Sequence, residues 1–207
     1  MRNNETGRSM VEMLGVLAII GVLSAGGLAG YSKAMFKHKL NNTMEQITML
    51  VTNIRTAYGQ QRNYSGLNNE KALGLGIIPP VMGKTKSTLT NPFKGAVTIV
   101  AAAAKSGVDN TGFTVKYEKL PKEACISLAT ADFGSGAGSG FVGVEVNGDA
   151  SSLVIGGRAA AAAVGTAGQD GYKPAVTAVA EGAAYTMAAA ITACKDSEQN
   201  FITWKFY

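Results

Sequence analysis

The pattern of apolar and polar positions changes character twice along the chain. From Met13 to Tyr31 it reads MLGVLAIIGVLSAGGLAGY, nineteen residues without a charge. At about 1.5 Å per residue, a helix of that length approaches the ~30 Å hydrocarbon core of a bilayer, so the stretch reads as a membrane span. A cleaved secretory signal is the rival reading, with Ser24-Ala25-Gly26 as its small-residue cut. Against it, helical periodicity continues past that point. Phe36, Leu40, Met44, Ile47, Val51, Ile54 and Tyr58 step by three or four, leaving Lys37, Lys39, Glu45, Gln46, Asn53 and Arg55 on other faces. One continuous helix from about Arg8 to Tyr58 follows, roughly 75 Å long. It is apolar all round in its first half, amphipathic in its second, and stopped by Gly59 and the Tyr64-Ser65-Gly66 turn.

Beyond Gly59 the pattern shortens. Tyr64 to Lys86 is punctuated by Gly66, Gly74, Gly76, Pro79, Pro80 and Gly83, which predicts a long surface connection with one short helix near Glu70 to Leu75. Gly95 to Ala101, Phe113 to Tyr117, Gly140 to Val146 and Asn200 to Tyr207 read as four strands of one antiparallel sheet. A helix is expected within Leu120 to Ala131, opening at Pro121 and presenting Ala124, Cys125, Leu128 and Ala129 on one face. A second is expected from Val176 to Cys194, with Val176, Val179, Ala183, Met187, Ile191 and Cys194 aligned. Phe133 to Ser139 reads as a flexible loop and Ala159 to Ala163 as a weak helix or filler. The apolar stripe of the long helix needs a cover, and a sheet with one apolar face supplies it, so the fold class is α+β.

Composition removes most chemistry. With 46% hydrophobic residues in 207, the chain can bury a core and is not intrinsically disordered. Lys+Arg 19 against Asp+Glu 14 gives +5, too weak an excess to argue for nucleic acid, so no sequence-specific nucleic-acid partner is expected. One histidine, His38, and two cysteines cannot build a zinc site from His and Cys alone, and any triad would have to use His38. That histidine sits in a Lys-His-Lys run just past the span and reads as an interface or headgroup contact. FGSGAGSG is a loop and not a dinucleotide fingerprint. Glu118, Glu123, Asp132, Glu145 and Asp149 are scattered and read as solvated surface, while Trp204, Phe206 and Tyr207 read as strand packing. No catalytic residue, metal or cofactor is expected, and the chain does not read as an enzyme.

Glu12 is the unusual residue, a carboxylate at the edge of a span, where such groups have a partner or a purpose. Met1 to Gly7, MRNNETG, is a short hydrophilic leader, and Gly7-Arg8-Ser9-Met10-Val11-Glu12 sets the acid five residues after a glycine and directly before the apolar run. This resembles the class III signal of type IV pilins and pseudopilins. The resemblance implies that a prepilin peptidase cuts between Gly7 and Arg8, removing 1–7, and that the new terminus is N-methylated. Arg8 stands where the family usually has an apolar residue. Glu12 is then the assembly residue, pairing with the terminal amine of a neighbouring subunit. Arg2 and Arg8 before the span balance Lys33, Lys37 and Lys39 after it, so orientation rests on the resemblance. Small residues at Gly15, Gly21, Gly26, Gly27 and Gly30 would let helices approach or bend.

The implied organisation is a leader at 1–7, a long helix over 8–59 with its membrane and assembly half at about 13–31, and a globular head at 60–207. An exported head meets oxidising conditions, where Cys125 and Cys194 are expected to pair and bound a region 125–194. GVLSAGG, TNPFKG, FTVKYEKLPKEACISL and ACK resemble the type IVb branch of major pilins. The function so implied is a structural subunit of an extracellular type IV pilus, serving adhesion, aggregation, DNA transfer or secretion. Its partners would be copies of itself in a helical filament, the bacterial inner membrane before assembly, the prepilin peptidase and assembly machinery, and a host or cell-surface receptor. A minor pilin or type II secretion pseudopilin, and an uncleaved membrane-anchored binding module, are the alternatives.

Overall fold

The structure is a computed structural model that describes residues 9–61, 63–85, 88–105, 107–134, 140–151, 153, 155 and 184–207. The Gly7–Arg8 junction, Ala159 to Ala163, and Val176, Val179 and Ala183 lie outside the described residues. Helix α1 runs unbroken over Ser9–Tyr58, as the periodicity predicts, and ends one residue before Gly59. It is shared between two compact units, Met1–Asn41 and Asn42–Tyr207.

The second unit is the head. After α1 come α2 (Asn69–Gly74), β1 (Gly83–Thr85), β2 (Thr88–Thr90), β3 (Ala96–Ala102), β4 (Gly112–Leu120), α3 (Lys122–Ala129), β5 (Phe141–Val146), α4 (Met187–Ala193) and β6 (Asn200–Phe206). All strand pairs are antiparallel, in the order β1-β2-β3-β4-β6-β5, so the final strand lies inside the sheet. The four expected strands are β3 to β6. β1 and β2 were not anticipated, because three residues are too few to display a period.

Register explains the two faces. Leu89, Val97, Tyr117, Ile202 and Val146 form one cross-strand row, Ile99, Val115, Trp204 and Val144 a second, and Ala101, Phe113, Phe206 and Phe141 a third. Because side chains alternate between faces, all three rows share one side. The second half of α1 is bound to this unit. Ile47, Leu50, Val51, Ile54 and Tyr58 are buried, and each is worth roughly 1.5–3 kcal/mol if fully removed from water. Tyr58 meets Tyr64, and Tyr64 meets Phe113, at ring-centroid distances of 5.4 and 4.9 Å. The Arg55 guanidinium lies 5.6 Å from the Phe206 ring centroid.

The 64–86 segment departs from the surface connection expected of it. Leu67, Ala72, Ile77, Ile78 and Met82 are buried. Gln46 donates from Nε2 to the Val81 carbonyl at 3.0 Å and Asn53 from Nδ2 to the Ile77 carbonyl at 2.8 Å, so polar residues of α1 hold this segment by its backbone. Asn69 donates to the Val97 carbonyl and accepts from Ile99 N, each at 2.8 Å, protecting β3 backbone beyond the end of β2. In the TNPFKG turn, Asn91 accepts from Phe93 N and Gly95 N and donates to the Glu118 carbonyl at 2.8 Å. A Cβ on Gly95 would stand 1.7 Å from that same carbonyl oxygen, so only glycine fits.

The opposite sheet face carries Thr98, Lys116, Thr203 and Glu145 in one row and Val100, Thr114, Lys205 and Gly143 in the next. At its β5–β6 end this polar face is covered by the chain following β5. Thr203 donates to the Gly148 carbonyl at 2.7 Å, and Glu145 accepts from Ala150 N at 2.7 Å. Ala104, Val142, Ala150 and Leu153 make a small second core, with Ile155 and Tyr207 packed against it. Lys205, buried, donates from Nζ to the Leu153 carbonyl at 2.7 Å and the Ala103 carbonyl at 3.0 Å. Glu145 is therefore not solvated surface; it is buried as a backbone anchor.

Burial lowers the pKa of Lys205, while Asp149 and Glu145 oppose that shift. A folded pKa below the unfolded value means that folding carries the full cost of the buried charge at neutral pH, a cost that lifts as pH rises through the folded pKa. The neutral amine still has two N–H groups for its two carbonyls. Lys205→Met is expected to lose about 1–3 kcal/mol by stranding those carbonyls. Its deficit relative to wild type should widen as pH rises through the lowered folded pKa towards the ordinary lysine pKa of about 10.5. Urea denaturation of the detergent-solubilised chain across that range measures both.

Candidate functional site

From Met10 to Ala34 every residue of α1 is exposed. Met10, Val11, Met13, Leu14, Val16, Leu17, Ile19, Ile20, Val22, Leu23 and Leu28 are all exposed, and the most apolar 18-residue window has a mean hydropathy of 2.1 with none of it buried. Continuous apolar surface on this scale far exceeds what a water-soluble monomer displays, and it calls for lipid or for similar helices. The helix is long and apolar enough to cross a membrane. A Cβ added at Gly15, Gly21, Gly26, Gly27 or Gly30 would meet nothing within 4 Å, so nothing among the described residues requires their smallness. Contact from outside, or bending, is what it would serve. Glu12 lies exposed in the first turn of α1, where the helix dipole favours an acid.

The cysteines are joined in a disulfide, Cys125 to Cys194, with 5.9 Å between Cα atoms. It links α3 to the residue that caps α4. α3 follows Pro121, here its N-cap, and buries Ala124, Cys125, Leu128 and Ala129 as predicted. α4 starts at Met187 after its Thr186 cap, and 184–186 are not helical, so the described part of the expected 176–194 helix is shorter than predicted. Its inner face is also different. Ala190, Ala193 and Cys194 are buried while Met187 and Ile191 are exposed, because the disulfide demands a close approach that only small residues allow.

Two asparagines that the sequence reading passed over complete this region. Asn200, fully buried, donates to the carbonyls of Leu120, Lys195 and Ser197 and accepts from Lys195 N at 2.8 Å. Asn147, at φ 55° in the left-handed region that asparagine tolerates, donates to Ala193 O and to Asn200 Oδ1 and accepts from Phe201 N. The pair joins the ends of β4, β5 and α4 to the start of β6. Lys122 and Asp196 form an ion pair across the same junction at 2.6 Å, on the surface and so worth little. The Asn147-Gly148 dipeptide was the available signal, as a turn with positive φ.

Residues 37–206 match the PilS N-terminal family. The chain is 30% identical over 202 residues, 97% of this chain and 93% of the relative, to the major structural subunit of the bundle-forming pilus of Escherichia coli O127:H6 (strain E2348/69 / EPEC). It is 22% identical over 134 residues, 63% of this chain and 59% of the relative, to the toxin coregulated pilin of Vibrio cholerae serotype O1. The chain belongs to the type IVb pilins. The crystal structure of TcpA, a type IV pilin from Vibrio cholerae El Tor biotype, has the same fold, with a TM-score of 0.50 at 15% identity, covering 82% of this chain and 99% of that one.

As in that fold, a long N-terminal helix packs by its second half on an antiparallel sheet. The candidate residues belong to different parts of the chain. Glu12 belongs to the first unit, the disulfide to the second, and Gly7 and Arg8 lie outside the described residues. Among the described residues there is no group of three or more His, Cys, Asp or Glu that could hold a metal. The acids expected on the surface serve local structure: Glu118 pairs with Lys116, Asp132 accepts from Gly134 N and Asp149 from Ser151 N. Phe133 is also structural, lying 6.0 Å from the Phe141 ring and 5.7 Å from Trp204.

Replacing Cys125 and Cys194 together by alanine is expected to cost the pilin about 4 kcal/mol, the chain-entropy value for closing a loop of this size. The difference between urea midpoints of wild type and variant, both in detergent, measures it.

Proposed function

We propose that this pilin is made as an inner-membrane precursor held by residues 13–31, trimmed between Gly7 and Arg8 by a prepilin peptidase, and then polymerised through α1 into an extracellular pilus. The observation that carries this reading is the uncovered apolar half of α1, with Glu12 at its start, on a head whose own core is already filled. A major subunit is favoured because the bundle-forming relative, matched over 93% of its length, is one.

The physics of Glu12 supports the assembly role. In an apolar bundle a carboxylate and an α-amine are each costly alone and tolerable together, provided that geometry brings them into contact. A subunit docked out of step would bury the carboxylate without its partner. One such pair therefore selects axial register, as one polar pair does in coiled coils. The rest of α1 supplies close packing and the head supplies the outer surface, where adhesion, aggregation, DNA transfer or secretion would be decided by region 125–194.

Gly7→Val is expected to block the cut, leaving the membrane-bound chain heavier by the seven-residue leader and absent from sheared fibres; mass spectrometry of membrane-bound and sheared material reads this directly. Glu12→Ala should insert and be trimmed normally, yet yield at least tenfold fewer fibres in electron micrographs of sheared cell surfaces. Wild-type fibres that lack this polypeptide, or that retain Met1 to Gly7, would overturn the proposal.

A further inference from the structure

The end of the apolar stretch carries an arrangement that the helix itself does not explain. Tyr31 closes the span, Lys33 and Lys37 follow, and both lysines are exposed. They stand four apart on one face of α1, the spacing at which like charges repel. Between Glu12 and Glu45 there is no acidic residue, so no carboxylate stands three or four positions away from either lysine. A helix solvated by water would ordinarily relieve such a pair with an acid one turn away. Positive residues on the translocated side of a span also oppose the usual charge bias, and so call for a compensating anion.

We propose that Lys33 and Lys37 form a headgroup collar that binds anionic phospholipid at the outer surface of the inner membrane. The inference rests on the reading of residues 13–31 as a span. The distances suit it: Lys33 and Lys37 lie about 3 and 9 Å along the axis beyond Tyr31, and the headgroup layer is about 5–8 Å thick on each side of the hydrocarbon. Flexible lysine stems let both ammonium groups settle at phosphate level, with Tyr31 at the aromatic belt. Phosphate oxygens then supply the anions that the helix lacks. The collar fixes the depth at which the subunit waits for extraction, and its lipids must be shed when the helix enters a filament.

The test uses the full-length chain in nanodiscs of mixed phosphatidylethanolamine and phosphatidylglycerol, with the lipid retained after detergent exchange counted by mass spectrometry. Wild type should enrich phosphatidylglycerol over the bulk mixture. The Lys33→Gln/Lys37→Gln double variant should lose about fivefold of that enrichment per lysine, the ratio that corresponds to ~1 kcal/mol for each basic residue at an anionic surface. Lys33→Arg/Lys37→Arg should retain it, and added salt should abolish it in wild type. Equal enrichment in wild type and the glutamine variant overturns the collar. So does a glutamine variant with unchanged lipid but no surface fibres, which would assign these lysines to a neighbouring subunit. Carbonate extraction tests the span separately: a wild-type chain released by carbonate overturns the span, whereas a carbonate-resistant glutamine variant with lost enrichment supports both.

Discussion

An apolar helical surface with no cover among the described residues is the constraint around which this molecule is arranged. The first half of α1 exposes large side chains on every face, and its glycines meet nothing. Such a surface is stable only where its surroundings are as apolar as itself, which means lipid or other helices of the same kind. Ile47, Leu50, Val51 and Ile54 already occupy positions in the head core, together with the three apolar rows of the sheet. One continuous helix therefore serves two partners that differ in kind: a fixed one in its second half and an exchangeable one in its first.

The head is built so that its final segment completes it. β6 lies between β4 and β5, and contributes Ile202, Trp204 and Phe206 to the inner rows. Its pairings join residues distant in sequence, so the entropy of closing the 147–199 connection opposes them. Three devices offset that cost. The disulfide fixes α4 to α3, the Asn147 and Asn200 pair joins strand ends to the α4 terminus, and Lys205 holds the chain after β5 against the outer face. The asparagines and Lys205 act largely on backbone groups, so the geometry they hold depends little on which side chains decorate the exterior. A pilin can then vary its outer surface while keeping the same frame.

What could be read in the sequence follows from the same physics. The long helix, β3 to β6 and α3 were legible because their apolar positions repeat with a period of 3.6 or 2 over enough residues. β1 and β2 were too short for that. The 64–86 segment was misplaced because Gly and Pro report where a chain turns and are silent on whether the turns are buried. The aligned face of α4 was misjudged for a related reason: Met187 and Ile191 are more apolar than Ala190 and Ala193, yet close approach to α3 selects for size. Lys205 and Glu145 were invisible, since a charge in an alternating strand ordinarily marks the wet side and only tertiary cover reverses that. Of the candidate site, the cysteines were legible as a pair, and Glu12 stood out by its cost in an apolar setting. The asparagine junction was not legible, because its partners are backbone groups scattered from Leu120 to Phe201.

The proposed cut changes more than length. Before the cut the nitrogen of Arg8 is tied up in its peptide bond to Gly7. The cut would free it as an α-amine four positions before Glu12. Two positive groups, the amine and the guanidinium, would then directly precede a helix whose N-terminal dipole is itself positive, which costs free energy unless a carboxylate is near. Glu12 is the one acid in the first half of α1 that can supply it, from the same chain at one-turn spacing or from a neighbour. With two cations to one carboxylate, a single chain retains a net positive charge at this end, and further relief must come from outside it. The proposed trimming would thus create an electrostatic demand just ahead of the apolar helix as the subunit became able to polymerise, and that coupling would give the cleavage a physical role beyond removing a leader.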